Sequence, residues 1–209
     1  MAEYPHLAEF KSKEGYWDKR ETFRPIINDV YANHQPRKML EIGFNIGYSA
    51  SMWLEFDPDN KLHLTSVDIG KHSDTQPAAR AVKNLHGDRF EFILSDSKIV
   101  YPQLKGQYFD LAFIDGDHSD IGVFNDIELC LKLKIPFLVF DDYHTINDQN
   151  PIRNMCEQYQ RQNKLSLLKV YDLDIEQPKV AIYRNDSINS KENLLKRQIS
   201  LLSPRSRKN

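Results

Sequence analysis

The sequence has little cysteine, no long hydrophobic run and no excess of basic charge. Only two of its 209 residues are cysteines, Cys130 and Cys156. Neither belongs to a C-x-x-C pair, which argues against a disulfide framework and against a thiolate zinc site. No window approaches the roughly 18 apolar residues that a membrane span needs, and residues 1–15 lack the apolar core of a signal peptide. We therefore expect a cytoplasmic protein with no membrane partner.

The charge balance restricts the partners and divides the chain. Lys and Arg number 28 and Asp and Glu number 30, a net charge of −2, which disfavours a nucleic-acid partner. Residues 185–209 hold six basic and two acidic side chains, a net +4, so residues 1–184 carry −6. We expect residues 1–184 to form one domain, with residues 1–35 as a helical lid or edge segment. Residues 185–209 are predicted to be a mobile basic tail, with a docking segment as the alternative.

Short β-rich runs alternate with amphipathic stretches. The periodicity predicts helices at residues 17–32, 48–56, 76–85 and 120–134, and strands at residues 38–42, 62–69, 90–94, 109–114, 136–140, 165–171 and 179–184. Such alternation is typical of a parallel sheet with helices on both faces, whereas the short connection between the last two strands indicates an antiparallel pair. The predicted fold class is therefore α/β: a Rossmann-like, doubly wound, mostly parallel seven-stranded sheet with a C-terminal antiparallel hairpin.

A loop with two glycines joins the first predicted strand to the next helix. Gly43 and Gly47 lack Cβ atoms, so the backbone can turn tightly and a ligand can approach it. The N-terminus of the following helix offers free N–H groups that suit a carboxylate or phosphate, and Ser49 adds a hydroxyl donor. Glu41, at the end of the strand, can accept hydrogen bonds from the ammonium group of a ligand.

Acids also follow the second and third predicted strands. Asp68 lies where an acid can accept both ribose hydroxyls of a nucleoside, and Asp96 lies in an S-D-S segment that can reach an adenine. The G-x-x-x-G spacing differs from the G-x-G-x-x-G of dinucleotide-binding proteins. A nicotinamide-dependent oxidoreductase is therefore the weaker alternative.

Acidic residues end the fourth and fifth predicted strands, in D-G-D-H at residues 115–118 and D-D-Y-H at residues 141–144. If these strands are neighbours, their backbones lie ~4.8 Å apart and their terminal carboxylates converge. Carboxylates in one pocket repel each other, and a hard cation such as Mg²⁺ relieves that repulsion. The carboxyl ends of strands are also where α/β sheets bind ligands.

These segments resemble a known family. The stretch from Glu41 to Ala50, with Asp68 downstream, looks like the cofactor loop of class I S-adenosylmethionine-dependent methyltransferases. The two acidic segments resemble those of the metal-dependent macrocin-type and novobiocin-type O-methyltransferases, and the chain is also similar to the catechol type. The resemblance implies the sheet order of that fold, with the antiparallel last strand inserted beside the fifth.

The resemblance also implies a role for each matching residue. For S-adenosylmethionine it implies the contacts Glu41, Gly43, Gly47 and Ser49 at the methionine end, Asp68 at the ribose, Asp96 near the adenine, and Asp115 beside the cofactor. For Mg²⁺ or another divalent cation it implies the ligands Asp115, Asp141 and Asp142. Asp117 would be the general base, with His118 and His144 as second choices because histidine titrates near neutrality.

The expected reaction is methyl transfer to a hydroxyl of a small molecule or saccharide, since the metal would lower the pKa of a coordinated hydroxyl. A vicinal diol, as in a sugar or a catechol, could chelate the metal through both oxygens. The alternatives are a non-catalytic S-adenosylmethionine-binding module and the oxidoreductase named above. The sequence leaves open whether the chain forms a homo-oligomer.

Overall fold

The computed structural model describes residues 4–10, 20–143, 150–172 and 179–188. Within these ranges the helices are α1 (Arg20–His34), α2 (Tyr48–Glu55), α3 (Thr75–His86), α4 (Tyr101–Leu104), α5 (Asp120–Lys132) and α6 (Pro151–Arg161). The strands are β1 (Lys38–Ile42), β2 (His63–Asp68), β3 (Phe90–Leu94), β4 (Leu111–Ile114), β5 (Phe137–Phe140), β6 (Leu165–Tyr171) and β7 (Val180–Asn185). Short 3₁₀ turns occur at Pro5–Leu7 and Gly87–Arg89. No helix in the described ranges is both long and apolar enough to cross a membrane.

The strands form one sheet in the order β3-β2-β1-β4-β5-β7-β6. The first five strands pair in parallel, and β7 runs antiparallel to both β5 and β6. This confirms the predicted mostly parallel seven-stranded sheet with an antiparallel pair at its C-terminal end. It also confirms the predicted sheet order, because β7 is inserted beside β5.

Helices cover both faces of the sheet, and each face has its own hydrophobic core. Along β4, Leu111 and Phe113 belong to one core and Ala112 and Ile114 to the other, as the alternation of side chains in a strand requires. The first core also contains buried residues of α1, α2 and α3, and the second contains residues of α4, α5 and α6. Burial on both faces explains why β4 and β5 are continuous apolar runs.

The strand order reverses between β1 and β4. From β1 the chain continues to β2 and β3 on one side, and β4 then continues to β5 on the other side. The connections therefore diverge at the carboxyl ends of β1 and β4 and leave a crevice between them. In open α/β sheets this switch point is where ligands bind.

Most predicted bounds differ from the observed ones by one or two residues, among them the C-terminal bounds of two helices. The predicted helix 120–134 ends at Lys132 because Lys134 takes a left-handed φ of 56°. The N–H of Ile135 then donates to the carbonyl of Cys130 at 3.0 Å, a hydrogen bond typical of a helix C-terminus. The predicted helix 17–32 is observed as Arg20–His34, and residues 17–19 lie outside the described residues.

Helices α4 and α6 are absent from the sequence prediction. In α6, Pro151 occupies the first helical position and the Asn150 side chain accepts the N–H of Arg153 at 2.7 Å. Both features favour a helix start. The buried residues of α6 are Ile152, Cys156 and Tyr159. Together with Met155 they recur at helical spacing, so the sequence carried a signal for this helix that the prediction overlooked.

Candidate active site

A cavity of about 790 Å³ lies at the carboxyl ends of the parallel strands. Its walls come from the segments that follow β1, β2, β3, β4 and β5, together with the first turns of α5. The predicted site residues that line it are Gly43, Asp68, Asp96, Asp115, Asp117, His118, Asp141 and Asp142. The cavity therefore spans both groups of residues that the sequence suggested, the loop after β1 and the acidic cluster.

The loop after β1 turns through three left-handed residues, Gly43 (φ 92°), Asn45 (φ 50°) and Gly47 (φ 85°). A Cβ on Gly43 would lie 1.9 Å from the carbonyl oxygen of Asp115, and a Cβ on Gly47 would lie 2.5 Å from the ring of Phe44. The chain's own packing therefore requires both glycines. Gly43 and Asn45 line the cavity, whereas Gly47 does not.

Asp68, the last residue of β2, holds this loop in position. One of its carboxylate oxygens accepts the backbone N–H groups of Phe44 and Asn45, each at 2.9 Å. The other oxygen accepts the N–H of Gly70 at 2.7 Å. A carboxylate offers about four acceptor positions, so Asp68 retains capacity for a ligand in the cavity that it lines.

Glu41 is fully buried beneath the loop. The Ser49 hydroxyl donates to one of its oxygens at 2.6 Å, and the Ser66 hydroxyl donates to the other. Burial raises the pKa of Glu41 to about 8. Glu41 and Ser49 are not among the residues that line the cavity, so their contact with a ligand stays a prediction.

Asp96 and Asp126 lie on the β3 side of the cavity. The Asp96 carboxylate accepts the N–H of Lys98 at 2.9 Å. Asp126, from α5, is almost fully buried; burial raises its pKa to about 7, and a hydrogen bond with Ser97 opposes that shift. A Cβ on Gly116 would lie 2.9 Å from an Asp126 oxygen, so this carboxyl group packs directly against the segment after β4.

The carboxylates after β4 and β5 converge around His118. One ring nitrogen of His118 lies 3.4 Å from Asp115 and the other lies 3.3 Å from Asp142. One ligand atom from each of these three residues lies within 4.8 Å of the others, an arrangement that can hold a metal ion. Asp141 is buried and lines the same cavity. Carboxylate oxygens are the ligands that Mg²⁺ prefers, so the carboxylates of Asp115, Asp141 and Asp142 fit a hard divalent cation.

The electrostatics of the cluster follow from its carboxylates. The contact with Asp115, reinforced by Asp142 and Asp141, raises the pKa of His118 to about 9. In the free protein these contacts favour the imidazolium form of His118, while burial and the charge of Asp142 raise the pKa of Asp115. That cation balances part of the negative charge that would otherwise accumulate there.

Asp117 lies at the edge of the cavity and stays ionised. Its carboxylate accepts the N–H of Ser119 at 3.0 Å and the hydroxyl of Ser119 at 2.9 Å. The hydrogen bond from the Ser119 N–H is the main cause of a lowered Asp117 pKa. Ser119 in turn caps α5, because its hydroxyl oxygen accepts the N–H of Gly122. His144, the other alternative base, lies outside the described residues.

Comparison with known proteins identifies the family. Residues 40–143 match the sequence profile of a family described as a methyltransferase domain. The matched stretch begins in β1 and ends just after the second acidic segment. This chain carries a methyltransferase domain over those residues. No curated protein sequence matches the chain.

Solved structures share the fold of this methyltransferase domain. Methyltransferase PaMTH1 of Podospora anserina, solved with SAH bound, is 17% identical over 87% of this chain and 88% of its own, with a TM-score of 0.62. The O-methyltransferase TomG of Streptomyces achromogenes, solved with SAM, is 16% identical over 85% and 92%, with a TM-score of 0.59. CalS11, a TDP-rhamnose 3'-O-methyltransferase, is 14% identical over 78% and 79%, with a TM-score of 0.61. Identities this low show a common fold.

Three residues in or next to the site escaped the sequence analysis. Asn45 could have been found as the only residue between the two loop glycines that often adopts a left-handed φ. Asp126 lies on the inner face of α5 beside Val123 and Ile127, so an acid on an apolar stripe was its signal. Asn150 had no comparable signal, because its partner Asp142 becomes its neighbour only through the fold.

Proposed function

We propose that this chain is an S-adenosylmethionine-dependent O-methyltransferase, assisted by Mg²⁺ or another divalent cation, that methylates a hydroxyl of a small molecule or saccharide. The observation that carries the proposal is the convergence of the β4 and β5 carboxylates on the cavity that Asp68 also lines. A cofactor bound at Asp68 and an acceptor bound at the carboxylates would share one cavity. The methyltransferase profile match favours this reaction over the nicotinamide-dependent oxidation considered from the sequence.

The β1 to β3 side of the cavity suits the cofactor. Asp68 has spare acceptor capacity for ribose hydroxyls, and Asp96 lies at the end of the adjacent strand. PaMTH1 and TomG, which share this fold, were solved with SAH and SAM. Glu41 would support the cofactor loop indirectly, because its carboxyl group accepts hydrogen bonds from the hydroxyls of Ser49 and Ser66. It would contact the cofactor itself only if the loop opened.

The acidic cluster suits the divalent cation. Asp115, Asp141 and Asp142 would hold it, and His118 would turn away from its two carboxylates when it binds. A cation bound there would supply a Lewis acid that stabilises negative charge on the acceptor oxygen. Since two neighbouring oxygens chelate better than one, a vicinal diol is the preferred acceptor class. CalS11, which shares this fold, is a TDP-rhamnose 3'-O-methyltransferase, and its sugar substrate supports a sugar as the acceptor.

Proton removal is best assigned to Asp117. This carboxylate is ionised and borders the cavity, so it can accept the hydroxyl proton as the oxygen–carbon bond forms and the carbon–sulfur bond breaks. Its lowered pKa makes it a weak base, and proton transfer must therefore accompany methyl transfer rather than precede it. His118 is the second choice, because in the free protein its pKa is raised by the same carboxylates that would hold the cation.

The proposal is tested by binding and turnover on the full chain. Calorimetric titration with S-adenosylmethionine should show one site, and methyl transfer to a panel of catechols and sugar nucleotides should give S-adenosylhomocysteine. Adding EDTA should abolish turnover, and excess Mg²⁺ should restore it. Undiminished turnover in EDTA would remove the metal from the proposal. Tight cofactor binding with no product from any acceptor would instead support the non-catalytic module.

A further inference from the structure

Asn150 uses both ends of its side-chain amide. Its oxygen accepts the N–H of Arg153 at 2.7 Å and caps α6. Its nitrogen donates to the backbone carbonyl of Asp142 at 3.0 Å. The residue is buried, and both of its hydrogen bonds are partly buried. Capping of α6 accounts for the contact of the amide oxygen. It does not account for the hydrogen bond from the amide nitrogen to the segment after β5.

The backbone of Asp142 is left-handed, with a φ of 51°. Aspartate adopts this conformation more readily than most non-glycine residues, and the surrounding hydrogen bonds fix which way the turn faces. The N–H of Asp141 donates to the Ile114 carbonyl, and the N–H of Tyr143 donates to the Lys179 carbonyl. The Asn150 amide adds a third restraint, on the carbonyl of Asp142 itself.

The direction of the Asp142 side chain depends on that turn. In the observed conformation its carboxylate lies 3.3 Å from His118 and belongs to the group of atoms that can hold a metal ion. A return to an ordinary φ would swing the Cα–Cβ bond away from this group. Hydrogen bonds that orient metal ligands from behind typically change metal affinity by roughly 10–100-fold when they are removed.

We infer that Asn150 is a positioning residue, which anchors Asp142 to the start of α6 and so aims its carboxylate at the metal site. This inference rests on the divalent cation of the proposed function. It assigns a role in the site to a residue that belongs to neither acidic segment. It also ties the metal site to α6, whose N-terminus the same side chain caps.

The test separates the two hydrogen bonds of Asn150. Serine caps a helix about as well as asparagine does but has no amide nitrogen, so Asn150→Ser keeps the cap and loses the bond to Asp142. Asn150→Ala loses both. Asn185 provides a matched control: it is buried, its nitrogen donates to the Ile135 carbonyl at 3.0 Å, and its oxygen accepts the N–H of Ser187. Asn185 ends β7, at the opposite end of β5 from the site.

For each protein, Mn²⁺ affinity is measured by calorimetry, S-adenosylhomocysteine affinity by calorimetry, and stability by thermal unfolding in EDTA. Asn150→Ser should weaken Mn²⁺ binding roughly tenfold or more, with cofactor affinity unchanged and stability no lower than that of Asn185→Ser. Asn185→Ser should leave Mn²⁺ binding unchanged. Asn150→Ala should lose both Mn²⁺ affinity and stability.

Wild-type Mn²⁺ affinity in Asn150→Ser would overturn the positioning role and leave the proposed function standing. Equal losses of Mn²⁺ affinity in Asn150→Ser and Asn185→Ser would also overturn it, because general destabilisation would then explain both. A wild-type protein that binds no Mn²⁺ would overturn this inference together with the metal part of the proposed function.

Discussion

Gly43 and Asp115 are in such close contact that a Cβ on Gly43 would lie 1.9 Å from the Asp115 carbonyl oxygen. This contact joins the loop after β1 to the segment after β4, on the two sides of the point where the strand order reverses. The proposed cofactor loop and metal site are therefore packed directly against each other. A substitution in the cofactor loop should therefore also alter the metal site, and the reverse should hold.

Gly43→Ala should destabilise the fold by much more than the cost of placing alanine at a left-handed φ. The left-handed φ costs alanine roughly 1–2 kcal/mol, and the overlap with Asp115 adds to it. Gly106→Ala is the matched control, because Gly106 has a similar φ of 88° and a Cβ there would meet nothing within 4 Å. Urea unfolding should give a clearly larger loss of unfolding free energy for Gly43→Ala. Equal losses would contradict the close contact.

Asp68→Ala should weaken cofactor binding by more than tenfold. It removes the proposed ribose contact and also the acceptor that holds the N–H groups of Phe44 and Asn45. Calorimetry with S-adenosylhomocysteine measures the effect, and Asp59→Ala, on an exposed acid that pairs with Arg37, is the control. Unchanged affinity in Asp68→Ala would argue against the ribose assignment.

Glu41 should make the protein less stable as the pH rises from about 4.5 to about 8. Its pKa rises from 4.5 to about 8 on folding, so the folded state binds more protons than the unfolded state in this window. The free energy of unfolding therefore falls with increasing pH. Folding also raises the pKa of Asp126, to about 7, so its titration lowers the free energy of unfolding with increasing pH in the same way.

Glu41→Gln should flatten this dependence, because the neutral amide keeps the size of the side chain and removes the titration. Urea unfolding at pH 5.5 and pH 8.5 should show a smaller difference for Glu41→Gln than for the wild type. Glu91→Gln, at an exposed position on β3, should leave the difference unchanged. A wild-type slope preserved in Glu41→Gln would mean that Glu41 titrates normally.

Asp117→Asn should lower kcat by roughly 10²–10⁴-fold, the range expected when a general base is lost. Mn²⁺ and cofactor affinities should remain close to those of the wild type. Ser119→Ala is the matched control: it removes the hydroxyl contact with Asp117 and the α5 cap, at about 1 kcal/mol of stability, but it keeps the carboxylate. A loss of kcat in Ser119→Ala as large as in Asp117→Asn would point to a structural role for Asp117.

The strands were predictable because each is a short run rich in apolar or β-branched residues, and β4 and β5 are wholly apolar. Strands β1, β3 and β6 have the predicted bounds, and the acids that follow β4 and β5 meet as the parallel pairing requires. The helix α6 was detectable but was missed: Ile152, Met155, Cys156 and Tyr159 recur at helical spacing after the Asn150-Pro151 start signal. The sequence therefore contained the signal, and the prediction overlooked it.

The sequence alone determined the order of strands and helices, the antiparallel end of the sheet and the acids that follow each strand, because these depend on local pattern and on strand alternation. The tertiary structure decided which side chains face the cavity. It buries Glu41 against Ser49 and Ser66, sets His118 between two carboxylates, and brings Asn150 to the back of Asp142. Glu41 and Ser66, and His118 and Asp142, are more than 20 residues apart, so only the pairing of strands brings them together. The nearer pairs, such as Asp142 and Asn150, depend on turns whose course no local pattern specifies.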